Sequence, residues 1–182
     1  MHRRRFLQSA ASVLPLTLLE RAALAAPDSA AQPHIIPAGG DRLNEHHTLG
    51  FSTILFKVLP RETAGSLFLI EHMHLRKGGG PPLHLHYTQE EYFYVMEGSF
   101  LFQVDDQRVH LHPGESVLGP RNVPHTFISI SDQPGHMLIA FTPAGQMEDF
   151  FRAAGKPGES LRDPALFASH GMKMLGPPLT AS

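Results

Sequence analysis

From residue 51 onward, short runs of apolar, β-branched and aromatic residues alternate with clusters of Gly, Pro, Asn and Asp. Residues 51–59 (FSTILFKVL), stopped by Pro60, and 66–75 (SLFLIEHMHL) have the length and character of strands. Further strands are predicted over 83–87, 91–96, 99–104, 108–111, 116–118, 125–130 and 136–142. Turn residues separate them at Gly98, Asp105-Asp106, Pro113-Gly114, 120–124 and 132–135. Strands and turns at roughly 8–12-residue spacing point to an all-β sandwich or barrel. In 66–75 the strand period puts Ile70, His72 and His74 on one face. After Pro143 the pattern changes: 146–154 (QMEDFFRAA), closed by Gly155, predicts a short helix and 164–169 a second. GPPL at 176–179 reads as an extended crossing segment. Nothing repeats internally, so one barrel is expected over 51–143, followed by a C-terminal segment, 144–182, that packs on it.

The N-terminus has a different grammar. Residues 1–25 join a basic start (Arg3, Arg4, Arg5) to an apolar stretch and a small-residue site at 23–25. Pro15 and the short apolar length argue against stable membrane insertion, which takes about 20 apolar residues. RRRFLQ at 3–8 resembles the twin-arginine export motif, with Gln8 where the motif has Lys. The resemblance implies passage through the twin-arginine translocase to the periplasm or the outside. That route carries folded proteins and suits a chain that must choose its metal before export. Residues 26–50, rich in Ala, Pro and Gly, read as a linker and an irregular arm.

Composition narrows the chemistry. The 182 residues, 42% apolar, suffice for one domain with its own core. There is no cysteine, which excludes disulfides, iron–sulfur clusters and thiolate zinc sites. Thirteen histidines leave imidazole and carboxylate as the available metal ligands. The net charge of −2 becomes −5 once residues 1–25, with four arginines and one glutamate, are removed. No basic stripe interleaves with the aromatics, so nucleic acid is not an expected partner.

The organising stretch is 78–98, GGGPPLHLHYTQEEYFYVMEG. His84 and His86 lie one residue apart, so a strand presents both on one face. A carboxylate follows at Glu91, and His125 stands downstream in PRNVPHTF. Both ligand types suit a divalent transition metal. We read one ion held by His84, His86, Glu91 and His125 within a small antiparallel barrel. The second such pair, His72 and His74, has no carboxylate at useful spacing; one of its rings is expected at most to line the cavity. His46, His47, His110, His112 and His136 sit near turns or in loops and are expected to face water. Strand parity alone does not choose between Glu90 and Glu91.

These residues carry a resemblance. Gly78-x5-His84-x-His86-x4-Glu91-x6-Gly98 matches the first motif of the cupin superfamily, and Gly114-x5-Pro120-x-Asn122-x2-His125-x3-Ser129 resembles the second. Asn122 stands where the pattern has Gly, and Ser129 where it has Asn. Asn tolerates the left-handed backbone a turn glycine supplies. The resemblance covers about 66–141 and implies a single antiparallel cupin barrel, a jelly-roll-like double-stranded β-helix. Its spacing selects Glu91 as the carboxylate ligand and leaves Glu90 exposed or ion-paired.

Three imidazoles and one carboxylate on an octahedral ion leave two positions open, which suits Fe, Mn, Ni or Co better than zinc, though zinc is possible. Phe93, Phe100, Phe102, Phe127 and Phe141 are expected to line the chamber. FTPAG at 141–145, the helix with two adjacent phenylalanines and the terminal GPPL look like quercetin 2,3-dioxygenase-related cupins of single-domain type. That resemblance implies a dioxygenase acting on a small aromatic or enolic molecule such as a flavonol, with Glu91 as proton acceptor. The other reading is a non-catalytic small-molecule binder, or a metal-dependent isomerase or lyase. A homodimer is plausible for such barrels.

Overall fold

The structure, a computed structural model, describes residues 33–158 and 160–180; the export segment 1–25 lies outside them. The described residues from Ile35 onward belong to one compact unit. Its strands are β1 (His47–Thr48), β2 (Thr53–Val58), β3 (Phe68–Leu75), β4 (Pro82–His86), β5 (Glu90–Glu97), β6 (Phe100–Val104), β7 (Gln107–Leu111), β8 (Ser116–Gly119), β9 (His125–Ser129), β10 (Gly135–Thr142) and β11 (Met172–Pro178). Two helices, α1 (Met147–Ala154) and α2 (Pro164–Ala168), separate the last two strands. The strands form two antiparallel sheets, ordered β1-β2-β3-β10-β5-β8 and β11-β4-β9-β6-β7. Consecutive strands repeatedly change sheet, which gives a cupin-like jelly roll. Among the described residues no helix is long and apolar enough to cross a membrane.

Alternation decides which side chains face inward. In β5, Glu91, Phe93 and Val95 are buried, while Tyr92, Tyr94 and Met96 point out. β10 buries Met137, Ile139 and Phe141 in the same way. β3 begins regularly with Phe68, Ile70 and His72 inward, and then departs from the expected period. His74 takes a left-handed backbone, φ 54°, and the pairing slips: Met137 faces His72, but Gly135 faces Leu75. Two residues of β3 thus stand against one of β10, a bulge that returns Leu75 to the core and turns His74 to solvent. The expectation that His72 and His74 share a face is therefore corrected.

The segment 176–179 is also more than a crossing. Its residues 176–178 belong to β11, which pairs with β4 and lies at a sheet edge, where prolines without an N–H are tolerated. His47, expected in water, instead stacks on Phe56 with ring centroids 4.3 Å apart. His136, also expected in water, is half-buried, with its Nε2 3.6 Å from Glu71.

α1 is held to the barrel by an aromatic series. Phe56 meets Phe68 at 5.1 Å, Phe68 meets Phe141 at 6.0 Å, and Phe141 meets Phe151 of α1 at 5.8 Å. Met147, Phe150, Phe151 and Ala154 recur at helical spacing and form the buried face of α1. α2 starts at Pro164 behind an Asp163 cap, whose carboxylate accepts the Ala165 N–H at 2.9 Å. The two helices meet through Phe150 and Phe167, centroids 5.3 Å apart, and close one mouth of the barrel.

Candidate metal centre

β4 buries alternate residues, so His84 and His86 both enter the barrel. His125, the first residue of β9, lies directly opposite His84 in the pairing of those strands. Glu91 comes from β5 in the other sheet. The structure brings these four buried side chains together: one ligand atom from each lies within 4.8 Å of all the others. Glu90 points outward, where its carboxylate is bridged by Arg121, in keeping with strand parity.

The hydrogen bonds fix how the imidazoles present themselves. His84 Nδ1 donates to the Pro82 carbonyl at 2.8 Å, and His125 Nδ1 donates to the Val123 carbonyl at 2.9 Å. A neutral ring with its hydrogen on Nδ1 has a lone pair on Nε2. Both Nε2 atoms, and that of His86, point at one oxygen, Oε2 of Glu91, at 3.8, 3.1 and 3.1 Å for His84, His125 and His86.

The protonation balance sharpens this. Burial pushes the His84 pKa down from its ordinary value, against the pull of Glu91, so its neutral form is favoured. Burial by itself would raise Glu91; hydrogen bonds donated by His125, His84 and His86 outweigh it and hold the carboxyl well below the usual range. With Nδ1 of His84 and His125 bonded to carbonyls, however, such donation from Nε2 takes a doubly protonated ring. Where those rings are neutral, lone pairs on Nε2 of His84 and His125 instead face a carboxylate oxygen. Lone pair against lone pair is repulsive unless a proton or a cation sits between them.

The spacing suits a metal ion. Two ligands about 2.1 Å from one ion and at right angles lie about 3.0 Å apart, close to the 3.1 Å seen from Glu91 to both His86 and His125. The donors are nitrogen and carboxylate oxygen, the backbone carbonyls orient two of the rings from behind, and the residues fit a divalent transition metal.

A cavity of about 40 Å³ adjoins the cluster. It has room for one or two waters and falls far below the volume of a drug-sized site. Of the five phenylalanines expected to line it, only Phe127 does. Phe93, Phe100 and Phe102 pack on one another and on Phe127 deeper in the barrel, and Phe141 lies tilted beside His86 with ring centroids 5.9 Å apart. The remaining wall comes from Leu49, Phe51 and Ile139, and from Phe150, Phe151 and Phe167 of the C-terminal helices. The sequence predicts a helix over 146–154, but not that its buried face would roof the site.

His72 also borders the cavity, from β3. Its Nε2 lies 2.5 Å from the Ser52 hydroxyl, and both residues are buried. Sequence spacing placed no role on Ser52. Nor does the sequence single out Gly119: a Cβ there would stand 2.9–3.0 Å from the His125 ring, so its missing side chain makes room for that imidazole.

Residues 71–141, which include both motifs, match the Cupin domain family. An uncharacterized protein of Methanocaldococcus jannaschii is 33% identical over 67 residues, 37% of this chain and 54% of that protein. Quercetin 2,3-dioxygenase of Bacillus subtilis is 28% identical over 137 residues, 73% of this chain and 37% of the enzyme. The matches thus span about half, and little more than a third, of these two relatives' own lengths. Among solved structures, an RmlC-like cupin from Shewanella frigidimarina superposes with a TM-score of 0.50 at 25% identity, over 58% of this chain and 87% of that one.

Proposed function

We propose that this protein is a metal-dependent dioxygenase acting on a small aromatic or enolic molecule. The observation that carries the reading is the convergence of three buried imidazole Nε2 atoms on one oxygen of buried Glu91, with two of the Nδ1 atoms already bonded to carbonyls, which calls for a cation. His84, His86, Glu91 and His125 would hold Fe, Mn, Ni or Co, with zinc as a further possibility. Such an ion supplies Lewis acidity and open coordination positions. Similarity to a quercetin 2,3-dioxygenase over 73% of the chain supports oxygen chemistry in particular.

The chain's own residues divide the remaining work. Leu49, Phe51, Phe127 and the phenylalanines of α1 and α2 exclude water and favour a flat apolar substrate. Glu91 is the nearest proton acceptor. Because its carboxyl is held below the usual range, it is a weak base and takes only a proton already made acidic. A flavonol does not fit about 40 Å³, so an aromatic substrate requires the phenylalanines of α1 and α2 to swing aside.

The test is elemental analysis of purified protein, followed by oxygen uptake with flavonols and 1,3-diketones. Uptake that depends on the metal and disappears in His125→Ala is expected. Stoichiometric metal with no uptake from any such substrate would favour the second reading, a binder or isomerase of a smaller ligand, to which the narrow cavity points. We propose further that residues 1–25 direct twin-arginine export. Arg3→Lys, Arg4→Lys and Arg5→Lys together would then retain the protein in the cytosolic fraction.

A further inference from the structure

One polar group in the apolar part of the chamber wall has no role in the metal cluster. His72, 4% exposed, borders the cavity among residues such as Leu49, Phe51, Phe127 and Ile139, and its partner Ser52 is 5% exposed. The rings of Phe51 and Phe127 flank the imidazole, each with its centroid 5.9 Å away. Its Nε2 is engaged by the Ser52 hydroxyl, and its Nδ1 is buried with no hydrogen-bond partner among the described residues. An imidazole nitrogen left unpaired inside a fold is costly, and it asks for a partner that arrives from elsewhere. The cavity His72 borders is the one that holds His84, His86 and Glu91. The Glu91 charge is close enough to act on the ring, yet burial dominates and pushes the His72 pKa down to about 3, so the ring stays neutral.

The Ser52 hydroxyl can donate to Nε2 or accept from it. When the Ser52 hydroxyl donates to Nε2, the ring hydrogen sits on Nδ1, and the unpartnered atom is a donor. We propose that His72, oriented by Ser52, is a ligand-binding residue of the chamber: Nδ1–H donates a hydrogen bond to an acceptor oxygen, of an enolate, phenolate or carboxylate, on the molecule that occupies the space beside the metal cluster. This rests on the metal-centre reading above and deepens it. It makes the chamber bipolar, with a cation at one pole, a neutral donor at another and aromatic walls between. A ligand with an acceptor oxygen is preferred over an apolar one of equal size, because only the former satisfies Nδ1.

The test uses the chain loaded with cobalt(II), with azide as a small anionic probe of the open coordination position. Cobalt content is measured directly, and azide binding is read from the visible cobalt bands. His72→Phe is expected to retain one cobalt per chain and to bind azide about tenfold more weakly, the loss of roughly one hydrogen bond. His72→Gln, whose amide also donates, is expected to stay within about threefold of the parent. Ser52→Ala should fall between them, and it carries the test alone if His72→Phe does not fold. Unchanged azide affinity in a cobalt-loaded His72→Phe or Ser52→Ala protein overturns the assignment. So does an equal loss in His72→Phe and His72→Gln, which would mark a packing role only. Failure of the parent chain to take up cobalt overturns the metal-centre reading itself, and this inference with it.

Discussion

At the scale of single residues, Glu91 is the group whose environment is least compatible with an empty, neutral pocket. Its oxygen is ringed by three imidazole nitrogens, two of them held from behind by carbonyls. Glu91→Gln keeps the shape, removes the charge and lets an amide N–H donate to one Nε2. Loss of a partner behind a ligand already weakens metal binding about 10- to 100-fold, so loss of the ligand charge is expected to cost more than about a hundredfold. A competition titration with a chelator of known affinity measures this, and unchanged affinity would remove Glu91 from the ligand set. His72 supports a separate expectation about acid. Its folded pKa is depressed to about 3, against an ordinary value near 6.5, so between these limits the unfolded chain binds the extra proton. The His72 contribution is fully present above about pH 6.5 and is lost as pH falls toward 3, at up to about 1.4 kcal/mol per pH unit. His72→Phe should flatten the pH dependence of urea unfolding between pH 6.5 and 4 by up to one proton's worth. Parallel curves would show that the ring is not buried neutral.

At the scale of elements, the close approach of β8 to His125 makes a sharp prediction. In Gly119→Ala the added Cβ would meet Nδ1, Cε1 and Cγ of the His125 ring at 2.9–3.0 Å, and that ring is tied to the Val123 carbonyl. Overpacking of this kind costs about 1–3 kcal/mol and moves the ring off its rotamer. The variant is expected to fold, with metal affinity reduced at least about tenfold; chelator competition and circular dichroism would separate the two effects. Asn122 offers the opposite case. Its φ of 61° is the left-handed conformation that the motif's usual Gly would supply. Asn122→Gly should therefore be nearly neutral, while Asn122→Val should lose about 1–2 kcal/mol in urea unfolding. These elements also show what the residue pattern does and does not encode. Alternation within 82–86 put His84 and His86 on one face, while the spacing of the family motifs, not strand parity, picked out Glu91 and His125, and the structure brings all four to one point. The bulge at His74 was hidden, because one left-handed residue reverses strand parity without altering composition. The chamber wall was hidden for another reason. Phe93 and Phe102 face inward as their strands require, but only the docking of α1 and α2 decides which inward rings border the cavity.

At the scale of the whole molecule, the cluster is a tie between sheets. His84, His86 and His125 come from the five-stranded sheet and Glu91 from the six-stranded one, so an ion bound by all four would fasten one sheet to the other. Unfolding would scatter the ligands, whose partners in sequence are up to 34 residues apart from Glu91. Any metal held by the folded form alone then stabilises it by mass action, about 4.1 kcal/mol at a free concentration of 1,000 times Kd. For a chain of this size each kcal/mol moves the melting midpoint by about 2–4 °C, so loading is expected to raise it by about 8–16 °C. The comparison is chelator-treated against metal-loaded protein in a reversible thermal scan. His125→Ala separates specific loading from general salt effects: it should lose most of the shift while keeping a folded barrel, because its neighbours Phe93 and Phe127 still pack. A shift of equal size in that variant would place the stabilising ion somewhere other than between the two sheets.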